Sequence, residues 1–306
     1  MCDSLAFCKR LRGIDFELDC DAKKYCTFGI GGKVKIIVKP SSVSQLVKAV
    51  CASGGKAIVI GNGSNILFSD AGVSRPIITT KFIKDEIVFN GNLVTVNAGC
   101  SLSKFIIECA KRGLGGCEKL FGIPATIGGA LYMNAGALGC EISSKLSSVK
   151  VLQGMDVKRL NKSELAFGYR KSPFMDLNAT ILEATFLLDE KATFDIEEQI
   201  KSAMFWRQEH QPAGKSAGSV FKKAVGPAGY LIDQCGLKGM RVGGAVVSNK
   251  HANFIVNSGN ALAKDVLELI CIIKNKVYQD YKILLEEEIL YIGDNNETNG
   301  GFSHTF

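Results

Sequence analysis

The run FGIPATIGGALYMNAGALG, Phe121 to Gly139, constrains the fold of this chain more than any other stretch. Gly122, Gly128, Gly129, Gly136 and Gly139 stand there among apolar side chains, with Pro124 near the start. Glycine is disfavoured inside helices and strands because its backbone loses the most entropy on folding. A glycine-dense apolar run therefore marks backbone that must approach something closely. A second such stretch, VIGNGSNIL at Val59 to Leu67, leaves a β-like run directly. Two tight glycine loops fit a large, planar, phosphate-bearing ligand gripped by main-chain N–H groups.

The 306 residues suffice for two or three domains with a sizeable core. No apolar run approaches the length needed to span a bilayer, so membrane insertion is not expected. The N-terminus, MCDSLAFCKRLRG, lacks the continuous apolar segment of a signal peptide. The eleven cysteines include no C-x-x-C pair, and reduced thiols in a cytoplasmic monomer are the expectation. The formal charge of +7 is spread without a basic block or interleaved aromatics. It argues for an anionic small molecule rather than nucleic acid.

Short strands alternate with helices along the chain. VKIIVK (Val34 to Lys39) reads as a strand. A helix follows with Val43, Leu46, Val47 and Val50 on one face, a Ser42–Gln45 capping box, and Gly54 or Gly55 as its stop. EIVFNGNLVTVNAG reads as a hairpin with a type I′ turn at Asn90-Gly91. Ser101 is the expected cap of a helix presenting Leu102, Phe105, Ile106 and Cys109. Strands are expected near Val149 to Gln153 and Thr180 to Leu188, and a helix from about Asp195 to Arg207, stopped by Pro212. A long amphipathic helix follows Asn260, with Val266, Leu267, Ile270, Ile273 and Val277 inward. Hairpins among helices argue for α+β lobes rather than one doubly wound sheet. The final residues, 294–306, read as a polar tail.

Several motifs compete for chemistry. Gly61-Asn-Gly63 is not a dinucleotide fingerprint, because Ile66 holds the place of its third glycine. Gly214-Lys215-Ser216 ends like a P-loop, but Glu209 stands where the first glycine belongs. Gly214-x-Ser216-x-Gly218 matches a nucleophile elbow, yet a helix and Pro212 precede it where a strand is required. The three histidines, His210, His251 and His304, lie far apart, and no metal-ligand spacing occurs. Three segments are bland singly: Tyr169-Arg170 before a Ser-Pro turn, Ser219 before Lys222 and Lys223, and Glu286 to Glu288 before an apolar run.

Together they carry a resemblance. TFGIGGKVKIIVKP, VIGNGSNILFSD, GIPATIGGALYMNAGALG, FGYRKSPF, SAGSVFKK, LIDQCGLKGMRVGGAVVSNKHANFIVN and LEEEILYIG occur in this order between about Tyr25 and Gly293. The collinear set resembles the UDP-N-acetylenolpyruvoylglucosamine reductases, flavoenzymes of peptidoglycan precursor synthesis, in the shorter form of the family without its extra loop.

The resemblance implies an α+β, vanillyl-alcohol-oxidase-type FAD fold with non-covalent FAD and NADPH as hydride donor. It implies an FAD-binding region over 1–205, in lobes of roughly 1–80 and 81–205, and a substrate-binding domain over 206–293. The substrate would be UDP-N-acetylglucosamine enolpyruvate. Gly61, Asn62, Gly63, Ser64 and Asn65 would clasp the pyrophosphate. Gly122, Pro124, Gly128, Gly129, Asn134, Gly136 and Ala137 would line the isoalloxazine and its linker. Arg170, Ser219 and Glu288 are the implied catalytic residues, with Tyr169, Lys222 and Arg207 at the substrate.

The chain departs from the family pattern at Lys223, where Asn is usual, at Leu290, where Arg is usual, and across Trp206 to Pro212. A covalently flavinylated oxidase of the same fold, a flavin-binding protein without turnover, and a nucleotide hydrolase are the alternatives. No histidine precedes His210 to serve as a flavin attachment point, the intact trio disfavours the second, and the helical context of the GKS segment the third.

Overall fold

The computed structural model describes residues 7–294, and the expected tail beyond Asp294 lies outside them. The chain divides into two compact units. The first holds the residues up to Glu17, Ile36–Asn62 and Pro76–Arg207; the second holds Leu18–Lys35, Gly63–Arg75 and the residues from Gln208 onward.

In the first unit, Ile37 and Ile58 flank Ile77 in parallel register. Parallel strands are covered on both faces, which explains why Ile36, Ile37 and Val38 are all buried. The helix Val43–Ala52 starts at Ser42, whose hydroxyl accepts the Gln45 N–H. The expected capping box is only half present, because the Gln45 carboxamide accepts from Ser41 N–H. Gly54, at φ 59°, ends the helix.

An antiparallel sheet of five strands follows, ordered Asp156–Asn161, Leu146–Gln153, Ala179–Leu187, Leu93–Asn97, Ile87–Asn90. The hairpin is where the sequence puts it, but its loop is Gly91-Asn92, since Asn90 pairs with Leu93. Only Gly91 takes a left-handed φ, the II′ arrangement rather than I′. This register sets Phe89 opposite Val94 instead of Asn92. The helix Leu102–Ala110 buries Leu102, Phe105, Ile106 and Cys109 as its spacing predicts. Ser101 is its N-cap, but the serine side chain makes no cap hydrogen bond. Packing is organised in two clusters, one around Ile36, Leu46 and Ile78 and one around Phe105, Leu131, Val149 and Phe186.

The second unit packs the helices Ala228–Gln234 and Ala263–Tyr281 with three short antiparallel strands, Arg241–Val242, Ala245–Val247 and Ile255–Asn257. On the longer helix Val266, Ile270, Ile273 and Val277 are fully buried and Leu267 partly. Leu290–Ile292 pairs in parallel with Ile66–Phe68. Among the described residues no helix is long and apolar enough to cross a membrane.

Candidate active site

In the first unit the two glycine stretches meet. A Cβ on Gly61 would stand 2.4 Å from Thr126 Oγ1 and 3.5 Å from the Gly129 Cα. Only a residue without a side chain fits there. Asn62 Nδ2 donates to the Pro124 carbonyl at 2.8 Å, tying the stretches together. Thr126 caps the helix Ile127–Tyr132, its Oγ1 accepting the Gly129 N–H at 3.3 Å. The N–H groups of Ile127 and Gly128 donate to Cys100 O and Ala98 O at 2.8 and 2.9 Å. In this run, then, several main-chain donors are committed to the protein itself. Gly128 serves close packing, since its Cβ would lie 2.9 Å from that of Ala98.

The same run holds Arg170. Gly168 and Lys171 exchange both backbone hydrogen bonds, at 2.9 and 3.0 Å, which sets Tyr169 and Arg170 at the tip of a tight turn. Arg170 takes φ 51°, a left-handed conformation that costs a non-glycine residue energy and clusters at functional sites. Three bonds support it. Arg170 Nη2 donates to Gly136 O at 2.8 Å, Asn134 Nδ2 donates to Gly168 O at 2.8 Å, and the buried Ser172 hydroxyl donates to Tyr132 O at 2.5 Å. A Cβ on Gly136 would lie 3.0 Å from Arg170 Nη1, so this glycine makes room for the guanidinium. Asn134 is fully buried, at φ 43°, and its Oδ1 has no hydrogen-bond partner. Tyr169 is exposed, with the Arg170 guanidinium carbon 5.2 Å from its ring centre.

Arg207 Nε donates to Phe121 O at 2.8 Å, and a Cβ on Gly122 would press on the Arg207 side chain at 3.0 Å. Burial lowers the Arg207 pKa from its ordinary value, yet a guanidinium stays charged near neutrality. Its charge braces the turn that opens the glycine run.

In the second unit five segments distant in sequence are wired together. Gly63, at φ 67°, packs so tightly that a Cβ would sit 2.1 Å from Tyr25 O, and its carbonyl accepts from Thr27 N–H at 3.1 Å. Thr27 Oγ1 donates to Ser216 O at 2.7 Å. Ser219 bridges Phe254, and Phe221 bridges Glu287. The Glu288 N–H donates to Val220 O at 2.7 Å, and the Glu288 carbonyl accepts Asn65 Nδ2 at 2.8 Å. Ser219 and Glu288 therefore lie on adjacent extended segments, and Asn65 joins the glycine loop to the second of them. Lys222 is ion-paired with Glu286 and Lys274 with Glu287 at 2.8 Å. The Gly214-Lys215-Ser216 segment has Gly214 at φ 104°, and its Lys215 bridges Asn257, whose N–H donates to Lys215 O at 2.9 Å. No helix follows before Ala228, so it is neither a P-loop nor a nucleophile elbow.

The glycine loop suits a pyrophosphate. Among the described residues the amide N–H groups of Gly63, Ser64 and Asn65 donate to no protein acceptor. Consecutive unengaged amides at a left-handed glycine form an anion-binding concavity. Sequence reasoning took Ser172 only as part of a Ser-Pro turn and passed over Asn253 and Asn257, whose side chains bond backbone far away in the chain. Their nearest signal is polarity inside apolar runs.

The profile of the UDP-N-acetylenolpyruvoylglucosamine reductase C-terminal domain matches residues 209–292, and that of an FAD binding domain matches residues 34–157. The UDP-N-acetylenolpyruvoylglucosamine reductase of Caldicellulosiruptor bescii is 42% identical over 290 residues, covering 92% of each chain. That of Clostridium botulinum is 38% identical over 286 residues, covering 91% of this chain and 93% of its own. The crystal structure of the UDP-N-acetylenolpyruvylglucosamine reductase (MurB) from Thermus caldophilus superposes with a TM-score of 0.76 at 35% identity, covering 91% of this chain and 98% of that one. The α+β FAD-binding fold expected from the motifs agrees with these matches.

Proposed function

The chain belongs to the UDP-N-acetylenolpyruvoylglucosamine reductase family, and from that premise we propose its chemistry: NADPH-dependent reduction of the enolpyruvyl ether of UDP-N-acetylglucosamine to the lactyl ether of UDP-N-acetylmuramate. The observation that carries this reading is the 42% identity running through 92% of the chain. FAD, when bound, supplies the hydride that it takes from NADPH. Residues 1–205 are the FAD-binding region and 206–293 the substrate-binding domain. Gly61 to Asn65 hold the pyrophosphate; Gly122, Pro124, Gly128, Gly129, Asn134, Gly136 and Ala137 line the ring and its linker.

The remaining chemistry falls to this chain's side chains. Hydride arrival at the terminal alkene carbon pushes negative charge onto the neighbouring carbon and its carboxylate. That enediolate-like charge needs fixed donors. Arg170, planar and always charged, grips the carboxylate, with Tyr169 beside it. Its strained turn and its bond to Gly136 O support a pre-set role. Ser219 Oγ–H delivers the proton that completes the second C–H bond, the electron pair coming from the enediolate. The serine is left as an alkoxide, which Lys222 helps to stabilise before it is reprotonated. Glu288 acts protonated or paired with a cation, since a bare carboxylate would repel the enediolate. For Arg207 the bond to Phe121 O supports bracing of the glycine run as well as the substrate role implied by its position.

The purified protein is expected to be yellow, and acid precipitation is expected to release intact FAD into the supernatant. Chromophore that stays on the denatured chain would point to a covalently flavinylated oxidase. A protein that remains colourless after incubation with FAD and gel filtration contradicts the reading altogether.

A further inference from the structure

Asn253 does for one strand edge what a backbone would ordinarily do. Its Oδ1 accepts the Phe221 N–H at 2.9 Å, and its Nδ2 donates to the Phe221 carbonyl at 2.8 Å. Its own carbonyl accepts the Val220 N–H at 2.8 Å. Its own N–H donates to His251 Nδ1 at 3.2 Å, which fixes the turn on which it stands. The next residue, Phe254, bridges Ser219. Asn253 is 7% exposed, and Val220 and Phe221 are 2% and 1% exposed. Water therefore has little access to any of these groups. On the opposite edge the Glu288 N–H donates to Val220 O, and the Lys222 N–H donates to Glu286 O at 2.8 Å. The segment carrying Ser219 is thus held from both sides, and Asn253 supplies three of the bonds on one of them.

We infer that Asn253 is a positioning residue for Ser219, setting the register of its strand and so the direction from which the hydroxyl delivers its proton. The inference rests on the functional reading above. Buried N–H and C=O groups left without partners shift until they find others. Loss of the Asn253 carboxamide would free Phe221 in this way, two residues from Ser219. A misplacement of about 1 Å at a reacting group can cost on the order of a hundredfold in rate.

The test uses the FAD-loaded full chain under anaerobic conditions, with NADPH added first and the enolpyruvyl substrate second. Asn253→Leu, similar in size, is expected to leave flavin reduction by NADPH near the wild-type rate and to slow reoxidation by substrate roughly tenfold to a hundredfold. Asn253→Asp keeps the acceptor for Phe221 N–H and loses the donor, and a smaller slowing is expected. On a Ser219→Ala background Asn253→Leu should add almost nothing, because there is no hydroxyl left to aim. Wild-type reoxidation in Asn253→Leu, the same slowing on both backgrounds, or slowing of both half-reactions overturns the positioning role. If Asn253→Leu does not fold as a flavoprotein, Asn253→Asp carries the same comparison on both backgrounds. Wild-type protein that the substrate fails to reoxidise overturns the functional reading, and the inference with it; the two failures are distinguishable in one assay.

Discussion

Ser219→Ala is expected to slow reoxidation of the reduced flavin by the enolpyruvyl substrate roughly a hundredfold or more, while reduction of the flavin by NADPH stays near normal. The asymmetry follows from where protons are needed. Hydride transfer from NADPH requires none from the protein. Addition across the alkene requires one at the carbon beside the carboxylate, and Ser219 is its proposed source. A serine hydroxyl is a weak acid in water. It can serve here because the enediolate-like centre is strongly basic. A hundredfold loss corresponds to about 2.7 kcal/mol of transition-state stabilisation. Stopped-flow absorbance separates the two half-reactions in one sample. Equal slowing of both would show that Ser219 places ligands and transfers no proton.

Arg170→Ala and Glu288→Gln are each expected to lower the reoxidation rate, Arg170→Ala by a factor on the order of a hundred to a thousand, as for loss of a preorganised donor. Both residues are proposed to act on the same developing charge. Their combined loss should then be clearly smaller than the product of the single losses. The turn that carries Arg170 is also held by Asn134 Nδ2 on Gly168 O and by the Ser172 hydroxyl on Tyr132 O, two bonds that do not involve the Arg170 side chain and that Arg170→Ala leaves in place. Glu288→Gln also reports protonation: a mild loss marks Glu288 as a neutral donor, whereas a loss close to that of Glu288→Ala marks an ionised carboxylate. If the two single losses simply multiply, the residues do not share a charge, and Glu288 is a packing residue at the start of its strand.

The glycine stretches made the architecture legible because their demand is steric and local. Gly61 admits no Cβ beside Thr126, Gly63 none beside Tyr25, and Gly136 makes room for the Arg170 guanidinium. That each of two loops some sixty residues apart must approach something closely follows from their glycine content; that they approach each other does not. The apolar spacing after Asn260 likewise yields the buried face of the long helix almost residue by residue. What the chain concealed is where its polar groups go. The Asn65 carboxamide reads as a ligand donor in sequence, yet its Nδ2 donates to the Glu288 carbonyl. Gly128 reads as lining a flavin ring, and its N–H is engaged by Ala98 O. Lys222 reads as a free cation beside Ser219 and is paired with Glu286. Such partners lie tens to hundreds of residues away, and periodicity carries no information about them. The hairpin turn differed for a related reason: cross-strand contact of Phe89 with Val94 outweighed the local preference for an Asn-Gly turn.

The central claim is tested most directly by a sequential anaerobic titration of the wild-type flavoprotein. NADPH should bleach the flavin with one equivalent consumed per chain. UDP-N-acetylglucosamine enolpyruvate, added after excess NADPH is removed, should restore the oxidised spectrum and yield one equivalent of UDP-N-acetylmuramate. Flavin that NADPH reduces but only oxygen reoxidises, with the enolpyruvyl ether recovered unchanged, would contradict the account.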